Sequence, residues 1–139
     1  MSQLHKHFYV GCNNFQDGKA GRIKYYVGKI EGRDAIFLDK ILFNTETDLT
    51  LIGHFSADNN QEINFEMNFE GVIFFLSIEL DFDKRGQLES LAVVQNSDRI
   101  KEFKAIDHSS KINDRHKHYY IRSYDTVFEI ISDRFELKF

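Results

Sequence analysis

The fold class follows from residues 62–82, whose sequence is EINFEMNFEGVIFFLSIELDF. Apolar and polar residues alternate strictly from Ile63 to Glu70, and this period of two is typical of a half-buried β-strand. Glu70 and Gly71 interrupt the pattern before a second apolar run begins at Val72. Because two residues that include glycine suit a tight turn between antiparallel strands, the sequence predicts a β-hairpin with its tip at Glu70 and Gly71.

The predicted register supports this hairpin, because every cross-strand pair on its inner face is apolar. The pairs are Phe69 with Val72, Met67 with Phe74, Phe65 with Leu76, and Ile63 with Ile78. A slip of one residue would place these side chains opposite polar ones. A turn at residues 83–87 would then lead to a third strand, in which Ala92 faces Ile78. The sequence therefore predicts an antiparallel meander of three strands.

Shorter β patterns cover much of the remaining chain. We expect further strands at residues 8–10, 22–30, 35–43, 49–55, 119–124, 126–131 and 135–139, with 22–30 and 35–43 paired as a hairpin. Strands at this spacing are typical of β-sandwiches and up-and-down barrels. The predicted fold is mainly β, an antiparallel meander forming a barrel or sandwich of about 8–10 strands.

One segment, residues 97–106, has a helical pattern instead. Ser97 is a suitable N-cap, and Ile100, Phe103 and Ile106 follow at steps of three residues. The sequence predicts one short helix here. Its apolar side would cover a cluster of apolar residues on the outer face of the meander. This cluster comprises Ile73, Phe75, Leu91 and Val93.

The length of 139 residues fits one domain, residues 1–139, with a core of its own. The single cysteine, Cys12, cannot form an intramolecular disulfide, and no run of about 18 apolar residues suggests a membrane span. The N-terminus lacks the apolar region of a secretory signal, so we expect a soluble, cytoplasmic protein. A formal net charge of −4 argues against a general nucleic-acid binder, and no motif indicates a cofactor.

The hairpin register also predicts an acidic outer face. It places Glu62 opposite Glu79 and Asp81 opposite Glu89, with Glu66 on the same face. Carboxylates directly opposite each other in a sheet repel, at a separation of about 5 Å between their Cβ atoms. Such pairs are found on solvated acidic surfaces, in docking surfaces, in cation sites and in the carboxylate pairs of retaining glycosidases.

From this face we predict a docking surface for a basic protein partner, formed by Glu62, Glu66, Glu79, Asp81 and Glu89. Acidic surfaces steer basic partners toward them and accelerate association. An inhibitor or immunity-type protein that blocks a toxin or nuclease is one concrete form of such a module.

Histidines, the cysteine and a basic stretch are the other candidates for chemistry. His108, His116 and His118 are the candidate ligands of a metal, and His5 and His7 form a second His-x-His pair, but no further ligand follows at a characteristic spacing. Catalysis by Cys12 would require a basic neighbour. The segment 99–117, followed by two tyrosines, resembles a single-strand nucleic-acid site in charge, but its own acidic residues weaken it. The sequence therefore predicts no metal site and no catalytic residue.

Three classes of function agree with these residue patterns. The first is a non-catalytic protein-binding module, which the acidic face favours. The second is a β-barrel that binds a small apolar ligand, suggested by 14 Phe and 6 Tyr residues. The third is a hydrolase-like enzyme that uses a histidine or paired carboxylates.

Overall fold

The computed structural model describes residues 14–16, 24–25, 28–29, 34–56, 62–83 and 90–138. Its strands are β1 (Asn14–Gln16), β2 (Lys24–Tyr25), β3 (Gly28–Lys29), β4 (Ile36–Phe43), β5 (Leu49–Ser56), β6 (Glu62–Glu79), β7 (Leu91–Gln95), β8 (Lys117–Arg122) and β9 (Thr126–Lys138). One α-helix, α1 (Asp98–Ile106), follows β7, and a 3-10 turn at Leu80–Phe82 follows β6. The predicted mainly β fold with one short helix is confirmed.

Seven of these strands form one sheet, in the order β1-β7-β8-β9-β6-β5-β4. The pairs are antiparallel except β1 with β7, which is parallel, and β2 and β3 form a separate two-stranded ribbon. Within the described strands the sheet is open, with β1 and β4 at its two edges. A closed barrel is therefore not formed, whereas the sandwich alternative agrees with the packing described below.

The predicted hairpin at Glu70 and Gly71 is wrong, because β6 runs through both residues as a single strand of 18 residues. Residues 62–69 of β6 pair with β5, and residues 66–79 pair with β9. Gly71 has a positive φ of 64°, as a turn glycine would, but it lies inside β6, shortly before an irregularity in the pairing with β9 between Val72 and Phe74. Most of the apolar residues in this segment face apolar partners on β5 or β9 instead of each other, as Met67 faces Leu51 and Phe74 faces Ile131.

The third strand of the predicted meander is also placed differently. Ile78 faces Val127 of β9 rather than Ala92, and Ala92 faces Tyr120 of β8. The strands at 35–43 and 49–55 are confirmed as β4 and β5. The predicted hairpin between 22–30 and 35–43 is wrong, because β4 pairs with β5, and the segment 22–30 contains β2 and β3, which pair with each other. The two predicted C-terminal strands are one, β9. The strand at residues 8–10 and the turn glycine Gly86 lie outside the described residues.

The sheet folds over itself and encloses the core between its two halves. Phe43 of β4 is in register with Phe69, two strands away, so in a flat sheet it would lie about 20 Å from Phe75. The ring centroids of Phe43 and Phe75 are 5.6 Å apart, and those of Phe69 and Tyr119 are 5.5 Å apart. The fold is therefore a two-layered packing of one bent sheet. Residues of both layers form the main core, including Ile36, Leu51, Phe55, Met67, Phe69, Leu91, Ile121, Phe128 and Ile130.

The helix begins where the sequence predicts, but it covers a different residue of β6. The Ser97 hydroxyl accepts a hydrogen bond from the Ile100 amide at 3.1 Å, which caps α1. Phe103 contacts Phe74, with ring centroids 5.8 Å apart, whereas Phe75 faces the core. The predicted cover over Phe75 is therefore wrong, since adjacent strand residues point to opposite faces. Ile106 is also 69% exposed instead of packed on the sheet. No helix among the described residues is long and apolar enough to cross a membrane.

Gly53 allows β4 and β5 to approach closely, which yields a stability prediction. A Cβ atom at Gly53 would lie 2.1 Å from the Phe37 carbonyl oxygen and 3.0 Å from the Phe65 ring. We expect Gly53→Ala to lower the free energy of unfolding by about 1–3 kcal/mol, because the backbone must move to remove the overlap. Urea denaturation measures this, with the exposed Asn64→Ala as control. Equal stability of the two variants would contradict the predicted overlap.

Candidate functional site

The structure disperses the predicted acidic surface along one strand. Glu62 and Glu79 are the first and last residues of β6, a single strand of 18 residues, so they lie at its opposite ends and not opposite each other. Asp81 lies in the 3-10 turn beyond Glu79, and Glu89 is outside the described residues. The predicted opposition of Glu62 with Glu79 is wrong because the hairpin that would create it does not form.

Three of these carboxylates have local partners. The Glu66 carboxylate accepts a hydrogen bond from the Asn68 amide at 2.8 Å and lies 3.8 Å from the Lys138 ammonium. The Glu79 carboxylate accepts a hydrogen bond from the Asp81 backbone N–H at 3.0 Å, which caps the 3-10 turn. Glu62 lies 3.9 Å from His54. A role of this set in partner binding stays a prediction, but the residues do not share one face.

The histidines named as possible metal ligands occupy three different environments. His108 is exposed, His116 accepts a hydrogen bond from the Asn113 backbone N–H at 3.0 Å, and His118 is buried. In the part of the chain that the structure describes, no group of three His, Cys, Asp or Glu side chains could hold a metal ion. His5, His7 and Cys12 lie outside the described residues.

The buried His118 belongs instead to a hydrogen-bonded network with Ser97 and Glu129. Its Nδ1 atom lies 2.7 Å from the Ser97 hydroxyl, and its Nε2 atom lies 2.7 Å from the Glu129 carboxylate. A consistent assignment has Ser97 donating to Nδ1 and Nε2–H donating to Glu129. This network links the start of α1 to β8 and β9.

The same three side-chain types serve nucleophilic catalysis in hydrolases. Ser97 is only 4% exposed, and its oxygen already accepts the helix-capping bond from Ile100. A nucleophile must reach a substrate carbonyl, and this hydroxyl is committed to the protein interior. The network therefore supports anchoring of α1 rather than catalysis. Sequence reasoning found the N-cap at Ser97 but not its partner 21 residues away.

The β4 edge is the second notable feature. The Ser56 backbone N–H donates to the Ala35 carbonyl, and the Asn44 backbone N–H donates to the Asp48 carbonyl. These two bonds show, at either end of the β4–β5 pair, which opposite residues are hydrogen-bonded to each other. Because antiparallel residues alternate between bonded and non-bonded pairs, the backbone groups of Ile41 and Phe43 face away from β5. In the described residues, β4 has no neighbour on that side.

The two halves of β4 differ in how this edge is protected. A bulge at Asp39 and the adjacent charges of Asp39 and Lys40 disrupt the first half, and both features are known to prevent edge pairing. The second half ends in Leu42 and Phe43, which are 41% and 61% exposed. Ile73 is also exposed and lines one small depression with Phe43 and the acidic Glu46 and Asp48. We call Leu42, Phe43 and Ile73 the apolar edge.

A groove of about 570 Å³ flanks the first half of β4. On its wall Phe37 stacks between His54 and Tyr124, with ring centroids 5.1 Å and 5.3 Å apart. The stack joins β4 to the turn between β8 and β9 and so helps to hold the two layers together.

A cleft of about 630 Å³ lies where β9 extends beyond the start of β8. Arg115 crosses it and binds Asp133 through two hydrogen bonds of 2.7 Å and 3.2 Å. Tyr119 lines the cleft, packs against Phe69 and Phe135, and is 6% exposed. Burial raises the pKa of Tyr119 from its ordinary value of 10.0 to about 12. Its hydroxyl makes no hydrogen bond with any described residue.

Comparison with known proteins gives no match from which a function could be carried over. No family model matches the chain, and neither a curated protein nor a solved structure matches it.

Removal of the Ser97 hydroxyl tests the anchoring network. We expect Ser97→Ala to lower the free energy of unfolding by about 1–3 kcal/mol, because α1 loses its N-cap and the buried His118 loses a hydrogen-bond partner. Urea denaturation measures the change, and Ser109→Ala in the exposed loop after α1 is the matched control. An undiminished stability in Ser97→Ala would remove the anchoring role.

The Tyr119 pKa predicts behaviour at alkaline pH. The folded protein holds Tyr119 protonated because its phenolate would be desolvated, so this contribution to stability is complete below pH 10.0 and is lost as pH rises through about 12. A titration followed by the ultraviolet absorbance of phenolate should contain a tyrosine step at about 12. Tyr119→Phe should remove one tyrosine from this step, and Tyr124→Phe should leave the step unchanged. An unchanged step in Tyr119→Phe would contradict the assignment.

Proposed function

We propose that this chain is a non-catalytic protein-binding module whose partner adds a β-strand to the second half of β4. The observation that carries the proposal is the coincidence of outward-facing backbone groups at Ile41 and Phe43 with the apolar edge. In strand addition, backbone hydrogen bonds supply affinity and alternate side chains supply specificity. Both requirements have candidates in this part of β4.

Edge strands are usually protected by charges, bulges or covering segments because unpaired strands aggregate. The first half of β4 has two such protections, whereas Leu42 and Phe43 add exposed apolar surface to the second half. Large exposed apolar side chains beside backbone groups that no described strand pairs with suit a contact that a partner completes. A partner strand would cover both faces of the edge, because Leu42 and Phe43 point to opposite sides of β4.

The partner expected here is basic. Glu46 and Asp48 flank the apolar edge, and the chain as a whole has a formal net charge of −4. These charges give the apolar edge a negative field. Such a field favours an extended segment that combines apolar and basic residues, and it accelerates association. An inhibitor or immunity-type role is one form of this proposal.

The two other classes of function have less support. The sheet of described strands is open, so it does not enclose a barrel cavity for an apolar ligand. The Ser97–His118–Glu129 network has the side chains of a hydrolase but keeps its serine inside the protein.

Amide hydrogen exchange tests whether the second half of β4 is open in the free protein and covered when a partner binds. In the free protein we expect the Ile41 and Phe43 amides to exchange fast and the intervening Leu42 amide slowly, because only Leu42 donates toward β5. When the partner binds, Ile41 and Phe43 should become protected. Leu42 is therefore an internal control within the same strand. Slow exchange of all three amides in the free monomer would contradict an open edge.

Two matched variants identify the partner that uses this edge. Phe43 and Phe82 are both strongly exposed, but Phe82 lies in the 3-10 turn after β6. We expect Phe43→Lys to lose a basic partner captured from the host by native mass spectrometry, and Phe82→Lys to retain it. Equal retention by folded Phe43→Lys would remove the proposed surface. Protection that rises with protein concentration alone would indicate a second copy of this chain instead.

A further inference from the structure

The cleft beside β9 contains a tyrosine hydroxyl that no described residue uses. The Tyr119 ring is held by Phe69 and by Phe135, with ring centroids 5.5 Å and 4.8 Å away. Phenylalanine would make these contacts equally well. The side chain is 6% exposed, but its hydroxyl is not among the fully enclosed polar atoms, so it reaches the open space of the cleft. Because no described residue binds it, this hydroxyl is available to donate a hydrogen bond to a ligand in the cleft.

Fixed donors accompany this hydroxyl. The Asp133 carboxylate holds the Arg115 guanidinium through two of its N–H groups, so the remaining N–H groups of Arg115 are presented in a set orientation. The ammonium of Lys117 lines the same cleft. The lining thus combines one neutral donor and two cationic donors.

The carboxylates around the cleft exclude an anion that carries more than one negative charge. Three cations line the cleft, Arg115, Lys117 and Arg134, together with four carboxylates, Glu70, Asp114, Asp133 and Glu136. Asp133 is paired with Arg115, Glu70 lies 3.8 Å from Arg134, and Glu136 lies 3.6 Å from Lys138. A single carboxylate can meet the donors, whereas a phosphate dianion would be repelled by the surrounding acids.

An aromatic ring suits the rest of the cleft. Phe135 is half-buried, packs against Tyr119, and lines the same space. Pockets of this size commonly combine an apolar wall with a few polar groups that fix orientation.

We propose that this cleft binds a small aromatic carboxylate, whose ring contacts Phe135 and whose carboxylate accepts hydrogen bonds from Tyr119 and Arg115. The inference is independent of strand addition, since no residue of β4 or β5 lines the cleft. The site and the apolar edge can therefore be tested separately.

A titration of the full chain with sodium benzoate, followed by NMR, tests the proposal. We expect saturable shifts of the Tyr119 ring and the Arg115 side chain. Tyr119→Phe keeps the ring packing and removes only the hydroxyl, so it should bind benzoate about tenfold more weakly because a hydrogen bond to a charged group is lost. Tyr124→Phe, which lies outside the cleft, should bind benzoate as the unaltered chain does.

The other outcomes overturn the proposal. Absence of saturable binding, or equal affinity of folded Tyr119→Phe, removes the role of the hydroxyl. Acetate or inorganic phosphate binding as tightly as benzoate removes the aromatic carboxylate as the ligand class.

Discussion

The left-handed backbone at Gly71 is the constraint on which the rest of the structure depends. At φ 64° a side chain would be strained, and a Cβ atom would lie 2.9 Å from the Cβ of Asp133. The Gly71 N–H donates to the Asp48 carboxylate at 3.1 Å, which ties this part of β6 to the turn between β4 and β5. Because β6 continues through this point, one strand contributes to both layers. The core between Phe43, Phe69, Phe75 and Tyr119 follows from that bend.

Both candidate sites are consequences of the same geometry. The core-facing residues of β9 change from Phe128 and Ile130 to Phe135 and Leu137, so the strand changes phase where it passes from one layer to the other. Beyond Ser132 it no longer pairs with β8, and the cleft opens there. In the same layer, β4 is the outermost strand and has an open side within the described chain. A flat sheet of the same strands would offer neither the cleft nor the packing that supports the apolar edge.

Local pattern predicted the elements of this fold better than their pairing. Alternation identified β4, β5 and both halves of β6, and the cap at Ser97 identified α1. A glycine after an alternating run indicates a hairpin turn and a bulge equally well, because both need positive φ. That ambiguity placed Glu62 opposite Glu79 and so created an acidic surface that the fold disperses. His118 with Glu129, and Arg115 with Asp133, depend on pairing between distant strands, which a local pattern does not contain.

The two proposals share one physical argument, which concerns residues that stability alone does not favour. Lysine at position 43 would protect the β4 edge, yet the chain has a largely exposed phenylalanine there. Phenylalanine at position 119 would pack as tyrosine does, without a hydroxyl that no described residue binds. By contrast, the buried polar groups of Ser97 and His118 satisfy each other and need no external partner to explain them. The packing of this chain therefore does not explain the exposed Phe43 ring or the Tyr119 hydroxyl, and the two proposals of binding rest on these two features.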